Sequence, residues 1–119
     1  MKNLFCFFLF ILPGLLPAQT LAEQTGTASY YAKKFEGRRT SSGEKFSNKR
    51  LTAAHKTLPY GTRLKVTNLS NNKSVIVVVN DRLPKKSTRC IDLSQKAAKE
   101  LDFIRAGKAK VKIEIIQPE

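Results

Sequence analysis

The sequence predicts a mainly β chain that closes into a small barrel with one or two short helices. Three observations carry that expectation. Short segments alternate apolar and polar residues, as strands with one covered face do. Turn-forming clusters rich in Gly, Pro, Asn and Ser separate them. A single stretch, QKAAKEL (Gln95–Leu101), has helical spacing. Several short strands, long loops and one short helix point to a barrel rather than a layered α/β fold.

The elements follow in chain order. Residues 1–22, MKNLFCFFLFILPGLLPAQTLA, begin with Lys2 and continue with an apolar run from Leu4 to about Leu16. Small residues follow, with Thr20 and Ala22 placed for cleavage, and Ala18 offers a second cleavage point. This is the layout of a secretory signal peptide. The apolar run is shorter than the roughly 20 residues a spanning helix needs, and Pro13 and Gly14 interrupt it. The expected mature domain is therefore residues 23–119, exported to the periplasm or beyond, with no stable membrane insertion. No cysteine stands at the cleavage region to carry a lipid.

EQTGT reads as a polar entry, and Thr27–Ala32 as the first strand. KKFEGRRTSSGEKFSNKR reads as a long surface loop, and a loop of that length in a compact domain is usually functional. LTAAHKTLPYGT holds a short apolar patch and a Pro–Tyr–Gly turn. In TRLKVTN, Leu64 and Val66 share one face; LSNNKS makes a hairpin turn; SVIVVVN reads as a strand buried on both faces. Ser94 can cap the helix, which buries Ala97, Ala98 and Leu101. In the last strand Val111, Ile113 and Ile115 alternate with Lys110, Lys112 and Glu114.

The chain has 22 basic and 9 acidic residues, a net charge of +13, and the signal removes only Lys2, leaving +12. Such an excess implies an anionic partner or surface. Cys6 leaves with the signal, so Cys90 is the one mature cysteine, expected as a small buried apolar residue. One histidine and one cysteine do not make the usual zinc ligand set. Neither a metal nor any other cofactor is expected.

With so few acids, each can be weighed. Glu44, Asp81 and Asp92 stand out, together with His55, the single histidine. Asp81 directly follows the apolar run, and Asp92 lies between Ile91 and Leu93, so the two acids end one basic loop. In an extended segment Ile91 and Leu93 face one way and Asp92 the other. Burial raises the pKa of such an acid and a neighbour such as Arg82 lowers it. Carboxylate pairs cleave glycosidic bonds. The structural alternatives stay open: an ion pair of Asp81 with Arg82 or Arg89, a turn-stabilising Asp92, an exposed Glu44, a half-buried hydrogen-bonded His55.

Four blocks in this order, GRRTSSGEKF, LTAAHKTLPYGT, VVVNDR with its following proline, and IDLS, resemble the rare lipoprotein A-like family over about Gly26 to Ile116. The resemblance implies a six-stranded double-psi β-barrel acting on peptidoglycan glycan strands; the domain is expected to be a monomer. The implied activity is that of a lytic transglycosylase, cutting between N-acetylmuramic acid and N-acetylglucosamine and leaving 1,6-anhydro ends. It places Glu44, His55, Asp81 and Asp92 in the glycan cleft; the catalytic role is expected on Asp92 or Asp81, and contacts to substrate on Glu44, His55, Arg82, Tyr30 and Tyr31. Two departures bear on this. Leu83 replaces the usual glycine, which predicts a different loop shape. SYYA replaces the more usual Trp–Tyr–Gly. A wall-binding or wall-loosening module without cleavage is the main alternative. A nucleic-acid binder is disfavoured, since only Phe35 and Phe46 interleave with the basic loop.

Overall fold

The computed structural model describes residues 23–117; the expected signal segment lies outside them. Six strands, β1 (Glu23–Tyr30), β2 (Thr52–His55), β3 (Arg63–Asn68), β4 (Ser74–Arg82), β5 (Ile91–Leu93) and β6 (Ala109–Ile115), close a barrel in the order β1-β5-β2-β4-β3-β6. β1 pairs with β5 and β2 with β4 in parallel; the other pairs are antiparallel. This is the six-stranded double-psi arrangement.

Each strand sends alternate residues inward. Ala28, Ala53, Leu64, Val66, Val77, Val79, Ile91, Leu93 and Val111 are completely buried. The helix α1 (Gln95–Glu100) packs Ala97 and Ala98 on this core, followed by Leu101 and Phe103. Ser94 caps it as expected, its hydroxyl accepting from the Ala97 N–H. The β3–β4 hairpin turn then reaches over: Asn68 and Asn71 donate to the Leu101 carbonyl at the helix end.

Three expectations need correction. The entry EQTGT is not a polar lead but part of β1, which pairs with β6 over Glu23–Ala28 and ends at Tyr30. β4 is not buried on both faces. Val75, Val77 and Val79 point inward, while Ile76 and Val78 stand 43% and 37% exposed. A closed barrel has one interior, so the outward residues of an apolar run serve strand propensity rather than burial. The patch TAAH is itself a strand, β2, covered along its whole length.

The long loop is only partly a surface feature. It makes a 3-10 turn at Lys33–Phe35 and a bridge between Arg39 and Lys45. Between those two residues Gly43 takes φ +93°, a conformation that glycine adopts without strain. The loop returns Phe46 to the outside of the barrel, 2% exposed, against Tyr31, Ala54 and Leu83. Leu83 therefore fills a second small core. Among the described residues the non-glycine residues at positive φ are Asn72 and Asp102, so Leu83 does not adopt the glycine-like conformation.

Candidate active site

The site begins with a ladder register. Ala54 on β2 is the partner of Asp92 on β5 and of Asp81 on β4, and Asp92 is in turn the partner of Ser29 on β1. Ser29, Asp92, Ala54 and Asp81 thus form one row across four adjacent strands. With strands about 4.8 Å apart, the two aspartate backbones lie about 10 Å from each other. The alanine between them is buried against Tyr31, Phe46 and Leu83.

Strand parity alone would not put Asp81 in this row. Val75, Val77 and Val79 point inward, so two residues further on Asp81 would also point inward. The β2–β4 register slips between Ala53, paired with Val79, and Ala54, paired with Asp81. Asn80 is the extra residue of a β-bulge. The bulge resets the alternation and turns Asp81 outward beside Ala54.

The two carboxylates have different surroundings. Asp81 Oδ1 accepts from the backbone N–H groups of Ser41 and Arg82, both at 2.9 Å, and Oδ2 accepts from the Tyr31 hydroxyl at 2.5 Å. Burial pushes its pKa up, but these hydrogen bonds outweigh burial and hold it below the ordinary carboxylate value. Asp92 has fewer donors: Ser29 Oγ at 3.0 Å and, at ion-pair distance, Arg89 Nη1 at 3.8 Å. Burial dominates there. The Ser29 bond and the Arg89 charge pull down, Asp81 pushes up, and the net pKa is raised. The surroundings favour the charged form of Asp81 and disfavour that of Asp92. The backbone N–H bonds that the sequence left open for Asp92 go to Asp81 instead.

The remaining expected residues divide. Glu44 is exposed and comes to the Asp81 end of the row, where its Oε1 accepts from Asn80 Nδ2 at 3.2 Å. Tyr31 is 8% exposed, stacked on Phe46 at 4.1 Å, and meets Asp81 from the second small core. Burial and the neighbouring Asp81 push its phenol pKa far up, so it stays a donor. Tyr30 turns away, donating to the Ile104 carbonyl and packing on Phe103. Arg82 does not pair with the Asp81 carboxylate through its side chain. Its guanidinium lies over the ring of Tyr60, 4.3 Å from the centroid. Arg89 pairs with Asp92 instead.

His55 is not brought to the carboxylates. It is 5% exposed and lines a cavity of about 370 Å³ with Gln24, Lys56, Leu58, Ile113 and Ile115. Its Nδ1 accepts from the N–H groups of Thr57 and Leu58, so the ring proton sits on Nε2 and is donated to Gln24 Oε1 at 2.9 Å. Burial, then the charges of Arg82 and Lys56, lower its pKa and keep it neutral.

Sequence reasoning missed Ser29 and Ser41 as partners of the acids, and Asn80 as the bulge. Nothing local marks them: Ser29 and Ser41 act on acids 63 and 40 positions away, and the bulge shows only in the pairing with β2.

The chain matches the family described as lytic transglycolase over residues 23–113. It is 52% identical over 104 residues to the endolytic peptidoglycan transglycosylase RlpA of Neisseria meningitidis serogroup B, which covers 86% of this chain and 44% of that protein. It is 55% identical over 93 residues to the protein of the same name from Pseudomonas aeruginosa, covering 78% and 27%. The chain thus spans less than half the length of these relatives. Among solved structures it is similar to Streptomyces papain inhibitor, with TM-score 0.65 and 22% identity over 80% of this chain and 94% of that one. An expansin from Clavibacter michiganensis gives TM-score 0.64 and 19% identity over 82% and 52%. At those identities the likeness is one of fold. The six-stranded topology and a family match that runs from β1 into β6 lead to one conclusion: this chain belongs to the lytic transglycolase family of double-psi β-barrels.

Proposed function

We propose that the chain is an exported, monomeric domain that binds peptidoglycan glycan strands along the Ser29–Asp81 row and cleaves them by lytic transglycosylation. The observation that carries this reading is the divergence of the two carboxylates in one row. The pKa of Asp92 is raised by burial and that of Asp81 is lowered by its hydrogen bonds. A pair pushed apart in this way supplies an acid beside a fixed negative charge. The curated relatives, named as peptidoglycan transglycosylases, support the substrate class.

In this mechanism Asp92 gives its proton to the glycosidic oxygen as the bond from C1 of N-acetylmuramic acid breaks. Positive charge develops at C1, where the ionised Asp81 and the exposed Glu44 favour it. The 6-hydroxyl of the same sugar closes on C1, and its proton passes to the Asp92 carboxylate. The ring closes, the leaving sugar departs, and the acid is restored. No activated water and no cofactor enter. Arg82 and the basic surface hold the anionic groups of the wall; nucleic acid is not the partner.

A second reading is a wall-binding or wall-loosening module without bond cleavage. The three hydrogen bonds to Asp81 favour it, because a carboxylate so fully used serves to shape a groove. One experiment separates the two. Purified glycan strands are incubated with the protein and their ends analysed by mass. Anhydro ends are expected, and Asp92→Asn should release them about 10²-fold more slowly, the scale of general acid catalysis, while still binding strands. Reducing ends would mean hydrolysis, and unchanged strands a binder.

A further inference from the structure

We infer that Arg89 and Ser29 form a positioning pair that commits one oxygen of Asp92, Oδ1, to the fold and leaves Oδ2 to exchange the proton with the glycan. The last part of that statement rests on the proposed function; the pairing itself does not.

The direction of the hydrogen bonds is set by chemistry. A guanidinium has donors only, so the bond between Arg89 Nη1 and Ser29 Oγ, at 2.5 Å, uses a lone pair of the hydroxyl. The single hydroxyl proton of Ser29 is then free to go to Asp92 Oδ1, at 3.0 Å. The chain runs Arg89 to Ser29 to Asp92, and the cation polarises the hydroxyl toward the carboxylate. Arg89 Nη1 also faces Oδ1 directly at 3.8 Å. An oxygen that accepts from such a donor is the poorer site for a proton. The other oxygen, Oδ2, accepts no hydrogen bond among the described residues.

The pair is itself held in place. Ser29 is 7% exposed and sits opposite Asp92 in the parallel β1–β5 ladder. Ser87 Oγ accepts from both the backbone N–H and Nε of Arg89, at 3.1 and 3.3 Å. Lys56 Nζ, from the segment after β2, donates to the Ser87 carbonyl at 2.6 Å. The basic loop between the two acids is therefore folded to deliver one guanidinium. The charged and titratable groups acting on Asp92 are Arg89 from this loop, Asp81 from β4 and the Tyr31 phenol beyond β1, which donates to Asp81.

The test is a carboxyl-carbon NMR titration of Asp92 in the wild type, Ser29→Ala, Ser29→Thr, Arg89→Met and Arg89→Lys, each checked for fold by its melting curve. Both donors favour the charged form, so their removal should raise the Asp92 midpoint. A rise of about one unit is expected for Arg89→Met, the scale of a close opposite charge, and a smaller rise for Ser29→Ala. Ser29→Thr should keep the wild-type midpoint, and Arg89→Lys should fall between. In the cleavage assay the alkaline limb should move the same way, with kcat falling at least tenfold and KM much less. Midpoints unchanged in well-folded Ser29→Ala and Arg89→Met would overturn the inference. A shifted midpoint in a protein whose wild type releases no anhydro ends would remove the cleavage reading and leave the positioning pair standing.

Discussion

Asp81 and Asp92 share one side chain and one row of the barrel, and part company through their donors. Asp81 receives three hydrogen bonds and its pKa falls below the unfolded value; Asp92 is ruled by burial and its pKa rises above it. The signs for stability are opposite. Asp81 contributes stability that is complete above its unfolded pKa and is lost as pH falls through the folded one. Asp92 favours the fold while protonated, and that contribution is lost as pH rises through its raised pKa. At neutral pH, Asp81→Asn should therefore lower Tm. A weakened set of bonds to a charged acceptor is worth about 1–2 kcal/mol, or about 5–15 °C in a domain of this size. Asp92→Asn should leave Tm unchanged or raise it, since asparagine can still accept from Ser29. Thermal melts of the two variants at neutral pH and near pH 3, where the gap for Asp81→Asn should narrow, check both statements. A larger loss for Asp92→Asn than for Asp81→Asn would reverse the assignment.

The elements matter through two backbone features. The first is the bulge at Asn80, which turns a carboxylate away from an apolar interior where burying it charged would cost several kcal/mol. Deleting Asn80 would place Asp81 directly after Val79 in an even ladder, still outward and opposite Ala54, so the chain should keep a cooperative melt at neutral pH; loss of that melt would mean that the bulge itself is needed for the fold. The second is the contact of β1 with the start of β5. A Cβ on Gly26 would lie 2.9 Å from Cys90 Sγ and 3.0 Å from its Cβ. Cys90 is buried, which raises its thiol pKa and keeps it apolar. Gly26→Ala should therefore cost about 1–3 kcal/mol as an overpacked site. Combining it with Cys90→Ala should cost less than the sum of the two single changes, because each relieves the other. Denaturant unfolding of the three variants measures this coupling, and strict additivity would mean that the two residues do not press on each other.

At the scale of the whole molecule, barrel closure and charge act together. Closure gives each strand one inner and one outer face, so the apolar supply goes inward and the charge outward. A surplus of +12 over residues 23–119 then covers a small surface. Exposed charges are screened within about 8–10 Å at moderate ionic strength. Retention of the protein on isolated cell-wall sacculi should accordingly fall steeply with added salt, and pull-downs at low and high salt test it. Equal retention at both would assign the binding to sugar contacts. Among the described residues no helix is long and apolar enough to cross a membrane.

The alternation in TRLKVTN and AKVKIEII, the Ser94 cap and the apolar face of Gln95–Leu101 were all legible, because they depend on neighbours within a turn or a strand. The motif blocks also located the acids at the two ends of the Arg82–Cys90 loop. Their division of labour was not legible. It depends on Tyr31 and Ser41 reaching Asp81, and on Ser29 reaching Asp92, over 40 or more residues of chain. The bulge was hidden as well: VVVNDR reads as an even alternation, and only its pairing with β2 shows one residue too many. The motif put His55 among the substrate contacts; strand β2 presents Ala54 to the row of acids, and His55 lines a cavity with Gln24. Local pattern depends on which face a residue takes within its own strand. A pKa depends on which donors other strands bring to it, and those arrive only when the barrel closes.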